Sequence, residues 1–263
     1  MRPHLRRRPI AAVASVAILL LGLGALAQAE TVRQGGLQVR FEGKLAPQTL
    51  PRSRQAPIRV SVSAKVVSLG AAAPPPLHQI AIAINRYGHL DPTGLPVCHL
   101  EQIQPATTDD ALAACRGSLV GEGRFLADVS GHAPFPADGK IYAFNGELDG
   151  KPAILAHVYG TKPGPASFTL AFLISRQAKG TFGTTLKAML PPVEPGAGSI
   201  TAIYLSLGKT FSVAGRRRSY LTASCPAPKG LSGASFVFAR ASLGFQGGPT
   251  LTTALNRSCK AKG

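Results

Sequence analysis

Acidic residues are scarce in this sequence. Its 263 residues include 12 Asp and Glu against 29 Lys and Arg, a formal net charge of +17, and no acid follows Glu194. The long-range field of such a chain attracts it to anionic polymers and anionic lipid surfaces. Glycoside hydrolysis, in contrast, uses two carboxylates set across a sugar. The candidate acids of the middle of the chain, Glu122, Asp128, Glu147 and Asp149, show no spacing that pairs them.

Aromatic residues and metal-binding motifs are also few. Aromatics are 6% of the chain and tryptophan is absent, whereas single-stranded nucleic acids are held largely by aromatic stacking. We therefore expect no nucleic-acid partner. No C-x-x-C, H-E-x-x-H or G-x-S-x-G motif occurs, so zinc, metalloprotease and serine-hydrolase signatures are missing. We expect no metal and no cofactor.

Long apolar runs are limited to one, at the N-terminus. Arginines at positions 2 and 6–8 precede the uncharged stretch Ile10 to Ala27, and Ala27-Gln28-Ala29 fits the A-x-A cleavage pattern. Residues 1–29 are predicted to be a signal peptide, with cleavage after Ala27 as an alternative. A retained anchor is the other alternative, because the run approaches the ~20 residues of a spanning helix.

The rest of the chain, residues 30–263, is predicted to be a single secreted β domain. It contains no second apolar stretch of spanning length, so we expect no integral membrane span after processing. It also contains no repeat of fixed period and no long linker. The expected location is the cell exterior or the cell envelope. Removal of the four signal arginines leaves 25 basic residues against 12 acids.

Four cysteines in an exported chain indicate two disulfides. Three connectivities exist. Proximity in the sequence favours Cys98 with Cys115 and Cys225 with Cys259.

Alternating apolar runs between turn residues are typical of antiparallel β structure. The clearest run lies within Leu77 to Cys98, where Ile80, Ile82 and Ile84 fall on one strand face and turn residues from Gly88 onward end the strand. The predicted fold class is all-β, an antiparallel β-sandwich or open barrel of about ten strands. One short helix is expected from Thr107 to Cys115, because Thr107 or Thr108 can cap it and two aspartates suit its N-terminal end.

The most pointed surface feature is Arg216-Arg217-Arg218 followed by Tyr220. The arginines are expected on the turn of a hairpin, where they can bind phosphate or carboxylate with the tyrosine nearby for stacking. These four residues are the predicted anion-binding site. The alternative is a solvated turn that discourages strand pairing at a sheet edge.

A second site can be proposed around His89, Asp91 and Glu122. His89 and Asp91 flank a turn, where such residues are more often turn hydrogen-bonders, and Asp91 is expected to cap its own turn. His157, within an apolar run, is expected to be a core histidine with a satisfied ring nitrogen.

Four segments resemble a group of exported, uncharacterised proteins of high-GC actinobacteria. They are GHLDPTGLPVC (88–98), CRGSLVGEG (115–123), FNGELDGKPAILAHVY (144–159) and SYLTASCP (219–226). The resemblance implies secretion, paired cysteines and a β-rich fold, and it brings no catalytic residue with it.

Two functions remain as hypotheses. We favour a non-enzymatic secreted or envelope-associated protein whose basic surface binds an anionic cell-wall polymer or lipid. The alternative is a secreted hydrolase or carbohydrate-active enzyme with a site near His89, Asp91 and Glu122.

Overall fold

The computed structural model describes residues 29–70, 73–104, 106–129, 132–135, 139–161, 165–192 and 199–262. Strands make up 65% and helices 7% of the structure, which confirms the predicted all-β class. The expected signal peptide, apart from its last residue, lies outside the described residues.

Nineteen strands occur in the described residues, against about ten expected, because short strands of two to four residues show no alternation in the sequence. In chain order the strands are β1 (Glu30–Gln34), β2 (Leu37–Ala46), β3 (Thr49–Pro51), β4 (Ala56–Pro57), β5 (Arg59–Ser68), β6 (Leu77–Asn85), β7 (Gly88–Leu90), β8 (Leu119–Val129), β9 (His132–Phe135), β10 (Lys140–Leu148), β11 (Lys151–Gly160), β12 (Ala166–Arg176), β13 (Phe182–Met189), β14 (Ser199–Leu207), β15 (Thr210–Val213), β16 (Arg216–Ser219), β17 (Leu221–Ala223), β18 (Gly233–Phe245) and β19 (Thr250–Lys262).

Fourteen of these strands form one large curled sheet. Its neighbour order is β1-β2-β5-β14-β8-β10-β11-β12-β13-β6-β18-β19-β3, with β9 paired to β8. The described pairings are antiparallel except that β3 runs parallel to β19. The two ends of this order meet, because β19 contacts both β1 and β2. One face of the sheet is therefore enclosed.

An ion pair holds the two ends together. Arg257 of β19 donates to the Glu30 carboxylate of β1 at 2.6 Å and to the Gly43 carbonyl of β2 at 2.5 Å. Both charged side chains are largely buried, at 10% and 17% exposed. Removing either charge would leave the other desolvated without a partner, which is a destabilising arrangement.

Strand β6 is central, between β13 and β18, and its alternation is as predicted. Ile80, Ile82 and Ile84 face the enclosed side, where they pack into the main apolar core with Leu186 and Leu243. That core contains residues from most strands of the curled sheet.

Two helices occur in the described part of the chain, and both lie against the outer face of β10 and β11. They are α1 (Leu100–Ile103) and α2 (Thr108–Cys115), and a 3₁₀ turn spans Arg116–Ser118. The predicted cap of α2 is confirmed, since the Thr107 hydroxyl accepts from the Asp110 N–H at 3.2 Å. Helix α1 was not predicted, because four residues carry no period. No described helix is long and apolar enough to cross a membrane.

Both predicted disulfides are present. Cys98–Cys115 ties α2 to the segment that pairs with β10, where the Cys98 N–H donates to the Asn145 carbonyl at 2.9 Å. Cys225–Cys259 joins the segment after β17 to β19.

Candidate binding site at the basic end of the sheet

A small sheet of order β4-β17-β7 covers one end of the curled sheet. It lies where β5 begins and β6 ends, and the Ile58 N–H donates to the Leu221 carbonyl at 3.0 Å. Leu90, Leu221 and Ala223 are buried in the main apolar core. We call these three strands the cap sheet, because they close that end of the enclosed space.

The basic hairpin, residues 210–219, precedes the cap sheet in the chain. Strands β15 and β16 are joined by Ala214 and Gly215, whose positive φ values of 48° and 74° suit a tight hairpin turn. The expectation that the arginines form the turn is therefore wrong. Arg216, Arg217 and Arg218 are the first residues of β16, and successive strand residues point to opposite faces.

The three arginines differ in their surroundings. Arg216 and Arg217 are exposed and have no carboxylate partner among the described residues. Arg218 is half-buried, and its guanidinium donates to the Asp91 carboxylate at 3.4 Å. Arg218 therefore ties the hairpin to the end of β7, whereas Arg216 and Arg217 present their charge to solvent.

Tyr220 does not belong to the exposed site, contrary to the prediction. Its side chain is 0% exposed, and burial raises the pKa of its hydroxyl. Its N–H donates to the Lys209 carbonyl at 2.8 Å, and its carbonyl accepts from the Asp91 N–H at 2.9 Å. Tyr220 anchors the hairpin in the core and is not available to stack on a ligand.

Four more basic residues lie at this end. Arg59 begins β5, Arg86 follows β6, and the Arg176 guanidinium donates to the Leu90 carbonyl of β7 at 3.3 Å. Lys209, after β14, donates to the Gly117 carbonyl at 2.6 Å, and partial burial lowers its pKa. We call the following residues the basic end: Arg59, Arg86, Arg176, Lys209, Arg216, Arg217 and Arg218.

An apolar cavity of about 150 Å³ lies on the enclosed side of the curled sheet. Its walls come from most of the strands and include Ile82, Phe172 and Leu205. Leu90 and Leu221 of the cap sheet line it as well. The cap sheet thus borders both the cavity and the basic end. Sequence reasoning missed the cavity, because its walls come from strands far apart in the chain.

The alternative site does not assemble among the described residues. His89 is exposed on β7 and lines the apolar cavity, whereas Glu122 borders a polar trough on the outer face of β8. Asp91 caps its own turn as predicted, with its carboxylate accepting from the Thr93 N–H at 3.1 Å. Its other oxygen binds Arg218, so both oxygens have structural partners.

The polar trough has a volume of about 610 Å³ and contains two carboxylates, Glu42 on β2 and Glu122 on β8. Strands β5 and β14 lie between β2 and β8, which separates the two backbones by about 14 Å. Paired glycosidase carboxyls lie about 5–9.5 Å apart. Among the described residues that line the trough, Tyr204 is the one aromatic, and the Arg124 guanidinium covers its ring at 4.7 Å. This trough therefore gives little support to glycoside hydrolysis.

His157 is a core histidine, as expected. Its side chain is 0% exposed on the outer face of β11, and its Nδ1 lies 3.1 Å from the Ile103 carbonyl of α1. Burial lowers the pKa of His157, so the ring is neutral near pH 7. No group of side chains suited to hold a metal ion occurs in the part of the chain that the structure describes.

No family model, curated protein or solved structure matches this chain. The resemblance to exported actinobacterial proteins therefore stays a prediction. The basic end is therefore defined by its geometry, and the arginine run of β16 is its one signal in the sequence.

Proposed function

We propose that this is a non-enzymatic protein of the cell exterior or envelope, and that its basic end binds phosphate-bearing anionic surfaces. The observation that carries the proposal is the pair Arg216 and Arg217. Both are exposed, neither has a carboxylate partner among the described residues, and five further basic residues lie at the same end.

Guanidinium groups suit this role. Arginine stays protonated at all physiological pH values, and its planar fork of donors binds phosphate through two parallel hydrogen bonds. The two arginines are adjacent residues of β16, so their side chains leave opposite faces of the strand. Exposed charges are screened over about 8 Å at physiological salt, so binding should weaken steeply as salt increases.

The two disulfides agree with an extracellular location, because such bonds persist in oxidising compartments. The alternative hydrolase gains no support from the geometry, since His89 and Glu122 border different cavities.

The test is co-sedimentation with vesicles that contain phosphatidylglycerol. Replacing Arg216 and Arg217 by Ser should weaken binding roughly 30-fold, since each basic residue near an anionic membrane contributes about fivefold. The substitutions leave the Arg218–Asp91 pair intact, so the melting temperature should change little. Vesicles of phosphatidylcholine alone should bind neither protein.

The matched control replaces Lys140 and Lys187 by Ser. Both are exposed, and their removal lowers the net charge equally, away from the cap sheet. Arg52 is unsuitable as a control, because its guanidinium donates to the carbonyls of Ala227, Pro228 and Leu231. Equal losses in both double variants would show that net charge alone acts. Binding to a teichoic-acid-like polymer but not to vesicles would assign the surface to the polymer.

A further inference from the structure

Small side chains keep the apolar cavity open. Ala143 and Ala156 are direct cross-strand partners on β10 and β11, and both line the cavity. Across the enclosed space, Ala239 and Ala241 line it from β18. Protein interiors are normally packed to crystal-like density, and an unfilled apolar void destabilises a fold. With Ala64 of β5, five alanines face this void, which is better explained by an occupant than by packing.

The walls specify the chemistry of that occupant. The lining is almost wholly hydrocarbon, with Ile, Leu, Phe and Ala side chains, and its polar members are Glu42, Ser63, His89 and Thr222. A cavity of this size with such a lining stays dry and accepts benzene. The space at about 150 Å³ thus suits an apolar group of about six carbons.

The cap sheet brings this space close to the arginines. Leu221 and Thr222 line the cavity. Arg217 and Arg216 precede Leu221 by four and five residues, a reach of at most about 14 and 18 Å. On the other side of the cap sheet, His89 lines the cavity while Asp91 binds Arg218. A molecule whose apolar end occupies the cavity against the cap sheet would have its other end on the side of the basic hairpin.

We propose that the cavity binds the apolar part of an anionic amphiphile, a short or branched hydrocarbon or a single ring, with the phosphate or carboxylate at the basic hairpin. The assignment of the headgroup to the basic hairpin rests on the proposed function. The assignment of the apolar part to the cavity is independent of it.

The experiment is calorimetric titration of the intact protein with alkyl phosphates, inorganic phosphate and hexanol. Hexyl phosphate should bind more tightly than either inorganic phosphate or hexanol, which each carry one half of the interaction. From butyl to hexyl phosphate, each added methylene should tighten binding about fourfold. Octyl phosphate, below its micelle concentration, should gain little more, because the cavity is full.

Variants separate the two halves. Ala156→Leu adds three carbons to a cavity with room for about six, so it should reduce the gain of hexyl phosphate over inorganic phosphate by roughly 60-fold. Ala113→Leu, on the exposed surface of α2, should leave the gain unchanged. Arg216→Ser with Arg217→Ser should remove the gain of hexyl phosphate over hexanol and keep hexanol binding. Ala241→Val fills less of the same cavity and tests the same effect if Ala156→Leu does not fold.

Two results would overturn the cavity assignment. One is equal affinity for hexyl phosphate and inorganic phosphate, and the other is affinity that keeps increasing fourfold per methylene through octyl phosphate. Either leaves vesicle binding by the arginines standing. Hexyl phosphate binding that ignores the loss of Arg216 and Arg217 would instead refute the headgroup assignment and retain the cavity.

Discussion

The two faces of β11 are both buried but are packed in opposite ways. On the outer face, Leu155 and His157 lie under α1 and α2 at 0% exposed. On the enclosed face, Ala156 borders a cavity of about 150 Å³. The neighbouring strand repeats the pattern, with Phe144 outward and Ala143 inward.

The outer layer is tightly packed at Gly146. A Cβ added to Gly146 of β10 would lie 2.6 Å from the Cys98 carbonyl oxygen and 2.8 Å from Leu155. Large side chains thus fill the layer that the helices cover, and small ones leave space on the enclosed side. The difference indicates that packing of the outer layer stabilises the fold, whereas the enclosed side leaves space for a ligand.

The largest expected effect is loss of the outer anchor. Phe144→Ala removes a fully buried ring from beneath the helices, and such truncations cost about 3–5 kcal/mol. Urea denaturation should show this loss, and the melting temperature should fall by roughly 10 °C. A cost below about 1 kcal/mol would mean that the outer layer can collapse around the gap, and the contrast between the faces would fail.

The disulfide of the outer layer should come next. Replacing Cys98 and Cys115 by Ser opens a loop with a sequence separation of 17, for which the chain-entropy model gives about 3 kcal/mol. Because α2 lies outside the curled sheet, hexyl phosphate binding should survive wherever the variant is folded. Non-reducing peptide mapping of the parent protein checks the pairing itself, and a crossed Cys98–Cys225 pair would contradict it.

Local patterns made part of this structure predictable. The isoleucines of β6 and the cap of α2 depend on periods and spacings within ten residues, so the sequence alone places them correctly. The cysteine pairs were also predictable, since each partner is near in the chain. Tyr220 was misplaced because it packs into the core at a backbone position held by Lys209 and Asp91, and no local pattern shows these contacts.

The cavity could not be predicted from local sequence patterns either. Ala143, Ala156 and Ala241 are unremarkable alanines within apolar runs, and curling of the sheet is what makes them face one space. The arginines of β16 were visible in the sequence, but their nearness to the cavity follows from the cap sheet, whose three strands come from distant parts of the chain.

The stability of the protein should depend on pH through a residue of the outer face. Burial lowers the pKa of His157 below its ordinary value near 6.5, so below that pH the unfolded state binds more protons than the folded state. Stability should be full above pH 6.5 and fall as pH drops, by up to about 1.4 kcal/mol per unit until the folded pKa is reached.

Unfolding free energies at pH 7.5 and 5.5 test this for His157→Gln, which should flatten the acid loss. The control is His89→Gln, a replacement of an exposed residue on β7 that keeps the buried ring of His157. If His157→Gln keeps the full acid loss, the titrating group lies elsewhere.

The smallest change in stability is expected from a substitution on the enclosed face of β11. This substitution tests most directly whether the two faces of the strand are packed differently. Ala156→Leu adds three carbons where the cavity has room for about six, so the free energy of unfolding should stay within about 1 kcal/mol of the parent value or increase slightly. The matched variant is Ala153→Leu, on the same strand but facing the helices, where the parent side chain is 0% exposed. Overpacking there should cost about 1–3 kcal/mol. Equal costs from the two substitutions, measured by urea denaturation, would mean that the enclosed face is as tightly filled as the outer one, and no cavity would remain for a ligand.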